Sequence, residues 1–222
     1  MRFFITGDKH GDWEPIYDWA IKFGFDQDPN ICVIILGDAG LFWNSPMMSQ
    51  AMIDYHEQHF KFNIWFIDGN HENFKILYKY KENPQISEHI KYIPRGTIIN
   101  TKDFSILCCG GADSIDAYRR IKDISWWEEE KISIEEDINP IPAQYYKYIL
   151  THCCPYNIFN KYTPYLVIPG IDQSTITHSS EKALDQLMIK IDYNRWFFAH
   201  YHIDQGLDSN FTCVLNDFIE LI

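Results

Sequence analysis

Side chains able to hold a divalent cation, seven of them besides His71 and Glu72, fall in five short clusters. Asp8 and His10 lie in Gly7-Asp8-Lys9-His10-Gly11, Asp38 in Gly37-Asp38-Ala39-Gly40, and Asn70 in Gly69-Asn70-His71-Glu72. His152 follows Thr151, and His200 and His202 close the series in Ala199-His200-Tyr201-His202. Carboxylate, amide and imidazole without thiolate make an oxygen and nitrogen donor set suited to Mn²⁺, Fe, Zn²⁺ or Co²⁺. Seven donors exceed what one ion takes, and two ions sharing a carboxylate accommodate them. A pair of ions about 3.5–4 Å apart is a common device for in-line attack at phosphorus. Asp8 and His10 stand two residues apart, as do His200 and His202, so as extended chain each pair aims at one pocket. A single histidine on a strand is ordinarily a core or surface residue. Five of the nine histidines fall in these clusters, which argues otherwise here.

The elements needed to position these residues can be read around them. The runs 2–6, 31–36 and 64–67 are apolar, and each leads directly into a cluster. The middle one, Ile31-Cys32-Val33-Ile34-Ile35-Leu36, has the continuous apolar character of a strand covered on both faces. Helices are expected from residue 11 through about 23, with Pro15 in the first turn, and from about 45 to 60. This β-α-β-α-β opening predicts a parallel sheet with sites at the carboxyl ends of its strands. Further on, the pattern predicts a short strand at 89–93, a hairpin of 96–99 with 104–109, and a strand at 146–150 running into His152. Ser125 is expected to cap a helix starting at Trp126, and 155–173 to be a long aromatic-rich loop. A helix over 180–190 capped by Ser179 or Ser180, a strand at 195–198 and closing strands within 211–222 complete the reading. No linker, repeat or low-complexity segment divides the chain, so one domain over 1–222 is expected.

Taken in order, the five clusters resemble the signature of the calcineurin-like metallophosphoesterases, in their single-domain bacterial or phage form. That signature runs GDxH, GD, GNH followed by an acid, a lone His, and GHxH. The resemblance extends over residues 7–202, with Ala199 in place of one glycine. It implies an α/β fold, a four-layer αββα sandwich of two mixed sheets with the metal site at the strand C-terminal ends. It also implies that Asp8, His10, Asp38 and His202 hold one ion and Asp38, Asn70, His152 and His200 a second, with Asp38 bridging. Manganese is the foremost metal, with iron, zinc or cobalt possible. A hydroxide held by the ions is then the nucleophile, and His71 the general acid, steered by Asp12 or Glu72. The family's protein phosphatase branch carries arginines in GDxVDRG and RGNHE, and both are missing at Gly37-Asp38-Ala39-Gly40 and Asp68-Gly69-Asn70. The resemblance therefore points to a small phosphomonoester or phosphodiester, with a non-catalytic metal-binding scaffold or a nuclease of nucleic-acid ends as alternatives.

Bulk properties narrow the field. At 222 residues, 46% hydrophobic and 23% charged, the chain has the composition of a soluble α/β domain. A net charge of −12 argues against gripping long nucleic acid by its phosphates. No apolar run approaches the roughly 20 residues of a membrane helix. A strand begins at Arg2 and leads into Asp8, so no targeting segment is expected. The six cysteines include two adjacent pairs, and reduced, buried thiols in a cytoplasmic protein are expected.

One stretch stands outside the signature, Gly110-Gly111-Ala112-Asp113-Ser114-Ile115-Asp116 with Tyr118-Arg119-Arg120 behind it. It too follows a strand, and Arg119 or Arg120 could reach a substrate phosphate. Trp43, Trp126, Trp127, Tyr118 and the tyrosines of 155–165 are read mainly as packing residues. His56, His59, His89 and His178 are read as surface or loop residues. The runs Glu128-Glu129-Glu130 and Glu135-Glu136-Asp137 are expected on a solvated helix face.

Overall fold

A computed structural model describes residues 1–43, 45–166 and 177–222 of the chain. Its first sheet is built from β1 (Arg2–Thr6), β2 (Ile31–Ile35), β3 (Asn63–Phe66), β4 (Ile90–Tyr92) and β11 (Ile219–Leu221), in the order β11-β1-β2-β3-β4. All neighbours are parallel except β11, which pairs antiparallel with β1. The second sheet contains β5 (Thr97–Asn100), β6 (Ser105–Cys109), β7 (Tyr145–Thr151), β8 (Asp192–Phe198), β9 (Gln205–Gly206) and β10 (Phe211–Cys213), in the order β5-β6-β7-β8-β10-β9. Its inner strands are parallel and its two edge strands antiparallel.

Alternation along the buried strands explains the layering. Phe3, Ile5, Cys32 and Ile34 point to a core shared with Ile106, Cys108, Leu150 and Phe197 of the other sheet. Their neighbours Phe4, Val33 and Ile35 pack instead under Ile16, Tyr17 and Ala20 of α1 (Glu14–Phe23). On the far side, Leu107, Cys109, Ile149 and Trp196 pack against Leu184 and Leu187 of α6 (Ser179–Lys190). Because successive residues of a strand face opposite ways, both sheets are covered twice and the molecule has four layers, αββα.

The helix α2 (Pro46–His59) is capped by Ser45, whose Oγ accepts from Met48 N, with Pro46 in the first turn. A short helix α3 (Phe74–Leu77) follows, capped by Asn73. The expected helix after Ser125 is only a 3₁₀ turn at Glu128–Glu130, because Ser125 Oγ accepts from Ile121 N and Glu130 turns inward. The segment from Pro155 is likewise not a loop. It forms α4 (Tyr156–Lys161) and α5 (Thr163–Leu166), which bury Ile158, Phe159 and Leu166 against the second sheet's core. The part of that expected loop from 167 to 173 lies outside the described residues.

Neither Ser179 nor Ser180 caps α6. His178 occupies that position in a left-handed conformation, and Asp113 supplies the cap from a distant loop, its Oδ2 accepting from Ser180 N at 2.7 Å. Three histidines read as superficial are buried: His56 bonds Phe62 O, His89 pairs with Glu57, and His178 with Glu181. The acidic runs are only partly solvated, since Glu130 is buried and Asp137 pairs with Arg95 at 3.0 Å. All six cysteines are free and buried. Among the described residues no helix is long and apolar enough to cross a membrane.

Candidate metal centre

Six parallel strands, three from each sheet, end on the same rim. Beyond β1 stand Asp8 and His10, beyond β2 Asp38, and beyond β3 Asn70 and His71. Beyond β7 comes His152, and beyond β8 His200 and His202; the glycine-rich loop follows β6. The turns interlock through the backbone. Lys9 N and His10 N both donate to Asp38 O, at 3.1 and 2.7 Å, and Ala199 N donates to His152 O. Gly69 lies so close to Asp38 that a Cβ there would stand 2.1 Å from Asp38 Oδ1, so this turn tolerates no side chain.

The paired ligands do not lie on extended chain, as their two-residue spacing suggested. His10, His200 and His202 have φ of 47°, 67° and 54°, and Asp38 has 49°. The chain leaves β1, β2 and β8 through left-handed kinks, and there the kink, not strand alternation, turns the side chains inward. Non-glycine residues held there carry strain of order 1 kcal/mol or more, which clusters at functional sites.

The structure brings five of the seven residues into two groups that share Asp8, with Asn70 and His200 against His152. Atoms of Asp8, His10 and His202 lie within 4.8 Å of one another, as do atoms of Asp8, Asp38 and His152. Asp38 Oδ2 is 3.9 Å from His10 Nε2 and 3.5 Å from His152 Nε2, so beside the shared Asp8 this oxygen too lies near both groups. His202 Nε2 is 2.9 Å from Asp8 Oδ2 and 3.2 Å from His10 Nε2. His200 packs its ring edge-on against His152 and donates its backbone N–H to Asp8 Oδ1.

These contacts suit a cation. His152 Nδ1 donates to Leu36 O at 2.7 Å, which leaves its Nε2 to present a lone pair. That Nε2 stands 3.1 Å from Asn70 Oδ1 and 3.5 Å from Asp38 Oδ2, oxygens that also offer only lone pairs. Asp8 Oδ2 is buried with no hydrogen-bond donor aligned on it. Burial lowers the His152 pKa, but the Asp38 carboxylate outweighs burial and raises it to about 9, a proton standing where positive charge is wanted. Burial pushes Asp38 up, yet His152 prevails and holds it well below the usual carboxylate range. Burial and the His152 charge press His200 down to about 3, which keeps it neutral and ligand-ready. The donors present therefore fit divalent metal.

The remaining expected residues separate. His71 borders the cluster, its backbone N–H on Asp38 Oδ1 at 2.7 Å and its ring edge-on to His10. Burial, reinforced by the nearby Arg120 charge, lowers its pKa. Arg120 comes to it, with Nη2 at 2.8 Å from His71 Nε2, 2.6 Å from Asp116 Oδ1, and the guanidinium over Trp43. Arg119 instead points to solvent over Tyr118. Asp12 does not steer His71: it is exposed and its Oδ1 accepts from Glu14 N at the start of α1. Glu72 is buried on Ala39 N, where burial pushes its pKa well up, and the side chain against the His71 ring is Arg120, paired with Asp116. Ser114, within the stretch after β6 but without a role expected from sequence, accepts from Asn70 Nδ2 at 3.1 Å; its signal was the Gly-Gly pair at a strand end.

A family model described as calcineurin-like phosphoesterase matches residues 1–204. No curated protein matches the chain.

Proposed function

The chain belongs to the calcineurin-like phosphoesterases, and from that premise we propose that it hydrolyses a small phosphomonoester or phosphodiester with two divalent ions, manganese foremost and iron, zinc or cobalt alternatives. The observation that carries the reading is the single oxygen, Asp38 Oδ2, shared between His10 and His152. Asp8, His10, Asp38 and His202 would hold one ion, and Asp38, Asn70, His152 and His200 the other. When bound, such ions supply positive charge for the phosphoryl oxygens and acidify water.

The chain's own residues do the rest. His71, tied by its backbone to Asp38, would give a proton to the leaving oxygen from its protonated form. Burial and Arg120 disfavour that form without substrate, and a phosphate drawing Arg120 away would restore it. Arg120, fixed by Asp116 and Trp43, offers its guanidinium fork to phosphate oxygens beside His71. The net charge of −12 supports a small substrate and not long nucleic acid. Strands β10 and β11, beyond the matched residues, pair with β8 and β1, which supports one domain over 1–222. Six free, buried thiols support a reducing, cytoplasmic location.

The test is hydrolysis of p-nitrophenyl phosphate beside bis-p-nitrophenyl phosphate by the Mn²⁺-loaded protein. Turnover of one over the other assigns monoesterase or diesterase activity. Two ions bound with neither ester hydrolysed would make the protein a metal-binding scaffold.

A further inference from the structure

An asparagine is an ambiguous metal ligand. Turning its amide over exchanges oxygen for nitrogen at almost no steric cost, yet only the oxygen has a lone pair to give a cation. Asn70 is buried, with Oδ1 3.1 Å from His152 Nε2 and Nδ2 3.1 Å from Ser114 Oγ. Something must hold it this way round.

The hydroxyl of Ser114 has one hydrogen. Glu130 takes it: Ser114 Oγ donates to Glu130 Oε2 at 2.8 Å, while Ser114 N donates to Oε1 at 2.6 Å. With its hydrogen committed, Oγ offers Asn70 only lone pairs, so an N–H must face it. Without a carboxylate behind it, the same hydroxyl could donate or accept and would select neither orientation. Glu130 is itself held firmly. Its carbonyl accepts from Ala112 N at 3.0 Å and from Arg95 Nη2 at 3.0 Å, and Arg95 is paired with Asp68 at 2.7 Å. On the other side of Ser114, Asp113 locks the loop to the start of α6.

We infer that Ser114 and Glu130 are positioning residues, a two-member chain that fixes the Asn70 amide with its oxygen toward the metal. The inference rests on the proposed role of Asn70 as a ligand. A buried carboxylate costs stability, and among the described residues no cationic side chain is paired with this one, which receives both Ser114 hydrogens at once.

A polarity argument gives the test. In Glu130→Gln the amide oxygen must still receive Ser114 N–H, so its NH₂ faces Ser114 Oγ and donates. The serine hydrogen then turns to Asn70 and draws the wrong end of that amide inward. Ser114→Ala leaves Asn70 merely unguided, and Ser114→Thr keeps the hydroxyl. Calorimetric Mn²⁺ titration of the metal-free protein at pH 8, where Glu130 is ionised, should rank the variants. We expect one of two ions weakened about 10–100-fold in Glu130→Gln, the range for a residue that orients a ligand, with less loss in Ser114→Ala and near wild-type binding in Ser114→Thr. A packing role predicts the reverse, since glutamine replaces glutamate almost isosterically while alanine leaves a gap.

If Ser114→Ala and Glu130→Gln bind both ions like wild type while Asn70→Ala loses one, the inference is overturned and the metal assignment stands. If Asn70→Ala also binds both, the ligand assignment fails and takes the inference with it. Should Glu130→Gln not fold, Ser114→Val and Ser114→Thr, alike in shape but only the second with a hydroxyl, decide: weakening in the valine variant alone supports the inference, and two wild-type titrations overturn it.

Discussion

The five strand-end turns and the connection from 110 to 138 reach the same centre by opposite means. The turns are short, follow buried strands directly, and hold His10, Asp38, His200 and His202 in left-handed backbone. The connection after β6 contains neither α-helix nor strand, only 3₁₀ and π turns. Yet its Asp113, Ser114 and Glu130 are buried much as Asp8 and Asn70 are. Side chains of the turns face one another, while Ser114 and Arg120 of the connection face the turns and Asp113 and Glu130 hold the connection in place. Residues that would meet an ion are thus carried on backbone fixed by the sheets. Residues that orient them sit on irregular backbone fixed by side chains, chiefly Arg95, which reaches Asp68, Asp137 and the carbonyls of Glu129, Glu130 and Lys131.

If that division is right, damage to the turns should exceed damage to the connection. The largest effect is expected for Asp38→Ala, which removes the shared oxygen. Both ions should be lost in metal analysis and kcat/KM should fall about 10⁴-fold or more, the several kcal/mol that metal charge supplies. Retention of one tightly held ion would show that Asp38 does not bridge. Next comes His71→Asn, predicted to keep both ions and to cost about 10²–10⁴-fold on alkyl phosphates but little on p-nitrophenyl esters, whose leaving group needs no proton. Equal losses on the two substrates would remove His71 from proton transfer.

Two smaller effects belong to the connection. Burial pushes the Glu130 pKa up to about 7 from 4.5, so its stabilising contribution is fully present below about pH 4.5 and is lost as pH rises through 7. The stability difference between wild type and Glu130→Gln, followed by urea denaturation with chelator present, should therefore shrink by about 3 kcal/mol from pH 4.5 to 8, at about 1.36 kcal/mol per pKa unit. A pH-independent difference would mean that this carboxylate ionises in the fold as readily as in water. Smallest is Arg120→Ala, expected to raise KM by the equivalent of about 1.5–3 kcal/mol with metal content intact, while exposed Arg119→Ala changes nothing. Equal effects of the two arginines would contradict the placement of Arg120 alone beside His71.

The turns were legible because they are local. An apolar run such as Ile31-Cys32-Val33-Ile34-Ile35 declares a doubly covered strand, and a polar cluster at its end declares a rim. Seven ligand candidates could be named from those clusters and the resemblance they carry, although at His10, Asp38, His200 and His202 the backbone is kinked and not extended. The connection was not legible, because its meaning lies in partners far along the chain. Glu128-Glu129-Glu130 reads as a solvated run until Ser114, sixteen residues away, is seen to draw in only the third member. Asp113 caps a helix 67 residues on, which no local capping rule could foresee. Nor does sequence separate Arg119 from Arg120, adjacent residues that a single turn sends in different directions.

The left-handed conformations at His10, Asp38, His200 and His202 also bear on how such a chain would age over generations. Glycine, or asparagine, sits more comfortably at those four positions, so selection for folding alone would replace them first. A lineage that lost its need for the reaction would relax there before its core changed, becoming sturdier as it fell silent. Four non-glycine residues held together at such torsions are thus what use of the site would leave written in the backbone.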